Sequence, residues 1–317
     1  MKKAAGLIVA LILIFLFFTW KLPGTFATPQ NVETMMRQMI VIGFAAVGMT
    51  WIIATGAIDL SVGSLVALVS VIVASLLKAG WGPAAAACMG VLAGVIGGAL
   101  NGVLTAWMKV GSFIVTLATL LAFRGLSKGI AQNKTINAPE TFLTNLTASL
   151  GPTDRWKLLP TGAWLLIVAV VVASLAMRYT VFGRRVIASG SNALTARLCG
   201  VDPALITLFV FMISGLSAGI AGLVQFSRLN AGDPTANAGL ELQVIAAVVI
   251  GGASLTGGEG SIAGALLGAF IMQTISTGSR QLGLDNWIQE ILTAAIILVA
   301  VGLDRWRMAR MATRTSG

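Results

Sequence analysis

Residues 38–77 read QMIVIGFAAVGMTWIIATGAI (Gln38–Ile58), a single carboxylate at Asp59, then LSVGSLVALVSVIVASLL (Leu60–Leu77). Both flanks are uncharged and apolar all round, without the alternation that barrel strands show over about 10-residue segments. A hydrocarbon core roughly 30 Å thick needs about 20 apolar residues per crossing helix. The two flanks are of that order, and so are Pro203–Ser227 and Gly260–Ser279. The expectation is an all-α, polytopic transmembrane bundle.

Working outward from this pair, about ten membrane helices are expected: Ala4–Trp20, Met35–Ile58, Ser61–Leu77, Pro83–Trp107, Ser112–Ala131, Thr161–Tyr179, Pro203–Arg228, Gly239–Ser254, Gly260–Ser279 and Asn286–Leu303. With 57% hydrophobic residues, the chain has too little polar surface to cover a soluble fold of 317 residues. No composition shift or Pro/Ser-rich linker marks a second unit, so residues 1–317 are read as one domain.

The 21 Lys+Arg against 11 Asp+Glu leave a net charge of +10, but position argues against nucleic acid. A nucleic-acid binder needs a clustered basic face. Here Lys2, Lys3, Arg184, Arg185, Arg305, Arg307, Arg310 and Arg314 sit at the ends and in a short connection, where the positive-inside bias holds them in the cytoplasm. Both termini, Lys109 and Thr180–Val201 are therefore placed inside. Lys21–Thr34, Gln132–Pro160, Leu229–Ala238 and Arg280–Asp285 are placed outside. Met1-Lys2-Lys3, the apolar Ala4–Trp20 and Thr25-Phe26-Ala27 have the shape of a signal peptide, but an uncleaved first helix is expected. Cys88 and Cys199 would have to pair across the membrane, so both are expected as free thiols. With no histidine, the usual zinc ligands are too few.

Glycines say how the helices meet. Gly90, Gly94, Gly98 and Gly102 recur every four residues, as do Gly260, Gly264 and Gly268, baring backbone along one face. In lipid such close approach promotes helix association; the other reading is space left for a substrate. Gly125-Leu-Ser-Lys-Gly129 and Gly215-Leu-Ser-Ala-Gly219 match the hydrolase elbow G-x-S-x-G. A serine nucleophile needs a base and a strand before it, and both matches are read as ordinary small-residue packing. No G-x-x-x-x-G-K-[ST] loop occurs, so energy for active transport must come from a partner or an ion gradient.

The connection Thr180–Val201 holds a small helix. Asn192 or Ser191 can cap it, Ala193–Leu198 propagate it, Arg197 suits its last turn, and Gly200 can take the left-handed stop. Asp202-Pro203 then opens the next span as N-cap and N1. Leu194 and Leu198, one turn apart, form an apolar face: a plain surface loop, or a knob for a cytoplasmic partner.

Asp59 also has two readings. A carboxylate at membrane depth is functional by default. Yet Gly56, Ser61 and Gly63 mark a turn in which Asp59 or Ser61 caps the following helix. Gly251–Ser261 looks similar, with Glu259 in the comparable place, which hints at an internal repeat.

Several stretches occur in one family's order: Val47-Gly-Met-Thr50, Ile58-Asp-Leu-Ser-Val-Gly-Ser64, Phe182-Gly-Arg184, Asn192 with Ala196-Arg197-Leu198 and Gly200-Val201, Ser214-Gly-Leu216, Asp233-Pro-Thr235, and Glu241 through Gly251-Gly252 to Gly257-Gly258. From about Met35 to Arg305 the chain resembles the permease subunit of bacterial ABC importers of the ribose, arabinose and xylose family. Ala57, where the family often has Gly, and Glu259, where it often has Lys, depart from the pattern. The resemblance implies a pair of permease subunits in the bacterial inner membrane, a separate cytoplasmic ATPase and a periplasmic sugar-binding protein. It implies no cofactor in this chain, because ATP is bound by the partner, and no catalysis by it. The family's coupling segment falls on Asn192, Ala193, Leu194, Ala196, Arg197, Leu198 and Gly200, within residues 180–202. Asp59, Ser61, Gly63 and Glu259 are candidates for structure or pathway. The rival expectation is a stand-alone carrier with Asp59 or Glu259 bearing a proton or sodium.

Overall fold

The computed structural model describes residues 2–149 and 159–315, with side chains from residue 5 to residue 302 of these. The basic side chains of Lys2, Lys3 and the C-terminal arginines, and part of the Gln132–Pro160 connection, therefore lie outside the described residues.

Among the described residues twelve α-helices run in order: α1 (Lys2–Lys21), α2 (Pro29–Ala54), α3 (Val62–Lys78), α4 (Pro83–Ala106), α5 (Ser112–Ile130), α6 (Thr161–Tyr179), α7 (Val181–Ser191), α8 (Ala193–Leu198), α9 (Pro203–Leu229), α10 (Leu240–Ile250), α11 (Ile262–Gln281) and α12 (Asn286–Thr315). Six of them, α2, α4, α5, α6, α9 and α11, are long and apolar enough to cross a membrane, and α1, α3, α10 and the first part of α12 are shorter apolar helices. Together they coincide with the ten expected runs. The additions are α7, a 3₁₀ turn at Phe142–Leu146, and a two-residue antiparallel pair, β1 (Ile136–Asn137) with β2 (Ala231–Gly232). Helix α2 starts earlier than hydropathy implied, because Thr28 accepts the Asn31 N–H at 3.3 Å and Pro29 presets the first turn.

The glycine rows lie where helices cross. Gly94, Gly98 and Gly102 of α4 face Phe211, Gly215, Gly219 and Leu208 of α9. A methyl at Gly94 would stand 2.6 Å from the Gly215 carbonyl oxygen, and one at Gly102 would stand 3.0 Å from Leu208 Cα. The Gly215–Gly219 motif is thus a helix crossing, as expected. Gly264 and Gly268 of α11 likewise abut Gly251 and Ala247. In the other motif a methyl at Gly125 or Gly129 would meet nothing within 4 Å among the described residues, and it is Ser127 between them that is buried. At the other end of the chain, Phe18 of α1 covers Gly278 and clusters with the buried Phe26 and Met35.

Helices α2 and α9 run antiparallel. Gln38, early in α2, accepts from Arg280 at the end of α11, while Ala54, at the end of α2, accepts from Gly258 just before α11. Arg228, at the end of α9, feels the charges of Arg37 and Arg280. The loops after α2 and after α9 therefore enter the bundle from opposite ends.

Candidate functional site

At one end of the bundle the chain builds a small two-helix projection. Thr180 Oγ1 accepts the Gly183 N–H at 3.1 Å and starts α7. Asn192 ends α7 through its N–H to Ala188 O (3.0 Å) and begins α8 by accepting the Thr195 N–H on Oδ1 (2.9 Å). Gly200, at φ +81°, closes α8 by donating to Arg197 O at 3.0 Å, and Asp202 caps α9 by accepting from Ala204 N at 2.9 Å. Asn192 is thus the cap, and Ser191 belongs to α7. Ala196 anchors α8 inward, whereas Ala193 and Arg197 are exposed. Leu194 and Leu198 stand 71% and 83% exposed, an apolar pair left uncovered by the described residues.

The projection is seated on backbone. Gly190 of α7 lies against the Ala54 carbonyl, and a methyl there would also be 2.7 Å from Gly258 N. Gly258 N–H donates to Ala54 O at 3.0 Å, and a methyl on Gly257 would be 2.7 Å from Gly190 O and 2.8 Å from Gly56 N. The ends of α2 and α7 and the α10–α11 turn therefore meet as bare chain. No side chain stands between them that could rotate aside.

Beyond Gly56 (φ +79°) the chain turns back into the bundle. Asp59 is 2% exposed; its Oδ1 accepts from Ser61 N (2.8 Å) and Ser61 Oγ (2.7 Å), and Oδ2 faces Ser214 Oγ at 3.4 Å. Ser214 lies about 16 Å along α9 from Pro203 at 1.5 Å per residue, so Asp59 sits well inside the length of that apolar helix. Ser61 stands at the N-cap position of α3 but makes no side-chain cap. Its hydroxyl also accepts from Asn101 Nδ2 of α4 at 2.8 Å.

The counterpart of this turn is not at Glu259. Glu259 is exposed, with its backbone oxygen accepting from Ser254 at 3.4 Å. The match is Asp233, in the loop after α9: its Oδ1 accepts from Thr235 N at 2.8 Å and Thr235 Oγ1 at 2.7 Å, the same Asp-x-Ser/Thr turn entering from the other end. The two turns lead into α3 and α10, whose N-termini meet: Gly63 lies against Glu241 Oε2 and Asn237 O. Helix α5 touches both turns. Ser112 Oγ accepts the Ile58 N–H at 3.2 Å and Thr116 Oγ1 donates to Ile58 O at 3.2 Å, while Arg124 Nη1 donates to Pro234 O (2.9 Å) and Ala236 O (2.7 Å). Arg124 also attracts Glu241 and Asp233 electrostatically.

Sequence reading passed over Arg124, Asn237 and Glu241 as a group. The available signal is an arginine well inside a membrane span, ahead of the Lys128 at its end, a placement that is costly and read as functional by default. Three atoms here are sealed from solvent without a partner among the described residues: Asn101 Oδ1, Asn237 Nδ2 and Glu241 Oε2. Each such group costs about 1–3 kcal/mol. Among the described residues no cluster of three or more metal-ligating side chains exists.

No solved structure matches the chain. Among curated proteins, the xylose transport system permease protein XylH of Escherichia coli K12 is 35% identical over 355 aligned positions, covering 94% of this chain and 90% of the relative. The ribose import permease protein RbsC of the same organism is 36% identical over 304 positions, covering 96% and 94%. The L-arabinose ABC transporter permease protein AraH of Azospirillum brasilense is 35% identical over 303 positions, covering 96% and 88%. The broken helices, the bundle of apolar spans and the match of residues 31–301 to one family agree: the chain belongs to the family described as branched-chain amino acid transport system / permease component, and is a multi-pass membrane permease.

Proposed function

We propose that the chain is the membrane subunit of an ATP-driven importer that carries a monosaccharide or similar small polar solute across the bacterial inner membrane. The single observation that carries this reading is similarity to xylose, ribose and arabinose permeases along nearly the whole of both chains. It favours an importer component over a stand-alone carrier driven by ions at Asp59 or Glu259.

In this reading residues 1–317 act as one permease domain, paired with a second permease subunit and fed by a periplasmic sugar-binding protein. A cytoplasmic ATPase buries Leu194 and Leu198, with Asn192, Ala193, Ala196, Arg197 and Gly200 shaping the knob. Both termini are then cytoplasmic. ATP closes the ATPase pair, α8 and α7 move together, and Gly190 transmits the shift to the turns at Gly56 and Gly257. The permease itself catalyses nothing and holds no cofactor.

The test is reconstitution into proteoliposomes. The chain with its ATPase and binding protein is expected to accumulate D-xylose, D-ribose or L-arabinose on ATP addition, and the chain alone, under a proton or sodium gradient, is expected to accumulate none. Uptake of L-leucine but no sugar, or uptake by the chain alone, refutes the reading.

A further inference from the structure

The segments after α2 and α9 carry the same turn, enter from opposite ends, and start two half-helices whose N-termini meet inside the bundle. Broken helices of this kind place their positive ends and freed backbone groups where a solute crosses. A helix N-terminus alone would not define a site. Here it is accompanied by unspent hydrogen-bonding capacity. Asn101, fully buried, holds Ser61 Oγ with Nδ2 and leaves Oδ1 without a partner at the start of α3. Across the junction, Asn237 Nδ2 is an unused donor and Glu241 Oε2 an unused acceptor. Arg124 commits Nη1 to the carbonyls of Pro234 and Ala236, which fixes its guanidinium beside Glu241.

A donor and two acceptors, each already stripped of water, match a hydroxyl group, which both gives and takes a hydrogen bond. An aliphatic side chain would leave all three unmet. We infer that Asn101, Arg124, Asn237 and Glu241 form a subsite at the α3–α10 junction that reads the hydroxyl groups of a passing sugar. In the present structure the subsite is shut, with Gly63 lying on Glu241 Oε2. Separation of α3 from α10 opens it. This rests on the sugar-importer reading and adds to it a place where the permease itself recognises the solute.

The test uses the assembled importer in lipid nanodiscs. The exposed thiols Cys88 and Cys199 are removed as Cys88→Ser and Cys199→Ser, and Asn237→Cys is labelled with a small methanethiosulfonate reagent during ATP turnover. D-xylose, D-ribose or L-arabinose is expected to slow labelling about tenfold at about ten times its affinity for the subsite, whereas L-leucine leaves the rate unchanged. Equal labelling with and without sugar, or protection by leucine alone, overturns the inference. Glu241→Leu is measured alongside for uptake, expected to fall at least about tenfold because the acceptor for a hydroxyl is lost; wild-type uptake overturns the inference. If neither variant assembles with the ATPase, the residues are structural and the inference falls. Sugar uptake by the unmodified importer is measured first, so that its absence counts against the proposed function and not against the subsite.

Discussion

Replacing Gly190 by alanine adds one methyl group at the point where α7 rests on the ends of two turns. That methyl would stand 2.7 Å from Gly258 N and closer still to the Ala54 carbonyl oxygen, whereas ordinary contact begins at 3.4 Å. Helix α7 must therefore move away by at least about 0.7 Å. Alanine gains about 1 kcal/mol over glycine in a helix, but overfilling a close-packed contact costs about 1–3 kcal/mol. The atoms in the way are backbone and cannot rotate aside, so the collision wins. Since about 1.4 kcal/mol is a tenfold change in an equilibrium, a net loss of about 1 kcal/mol at the joint lowers the population of correctly coupled states about fivefold. The assay is simultaneous measurement of solute uptake and ATP hydrolysis in proteoliposomes, with the ATP consumed per solute expected to rise at least about fivefold. Gly125→Ala, where a methyl meets nothing within 4 Å, is the control and keeps the wild-type ratio. A wild-type ratio in Gly190→Ala would refute transmission through this contact.

Leu194→Asp places a charge on the exposed apolar pair of α8; ATP hydrolysis and uptake are expected to separate, and unchanged uptake in vesicles counts against α8 as the ATPase contact. Asp59→Asn retains an oxygen to accept from Ser61, so membrane insertion is expected to be normal while transport falls; full transport would remove any functional role for the carboxylate. Gly98→Leu drives a side chain into the Phe211 carbonyl and Gly215, and the yield of folded permease in detergent, read by size-exclusion chromatography, is expected to drop severely, whereas a normal yield would show that the α4–α9 crossing can part.

The spans were legible because hydrocarbon imposes a length and a polarity that few other solvents impose. The small helix α8 was legible for a local reason: Asn192 and Gly200 punctuate it, and cap chemistry acts over three or four residues. Helix α7 was not, because Arg184 and Arg185 beside Gly183 and Gly190 read as loop, although the fully buried Val186 shows one face turned inward. The kinship of Asp59 with Asp233 was hidden as well. Only antiparallel packing of α2 and α9 makes an inverted pair recognisable, whereas along the chain Glu259 stands in the comparable place. Asn101, Asn237 and Glu241 come from three separate stretches, and nothing in their spacing announces that they converge.

Helix α5 has one more implication. Thr116 and Arg124 are fastened to the turns that enter from opposite faces, and they are separated by about 12 Å of α-helix. Such a rod resists stretching, so it acts as a strut of fixed length. Whatever shifts one turn along that axis carries the other with it. Parting both ends at once would require the strut to buckle. In the importer proposed above, the stiffness of a single span then guards against an open pore.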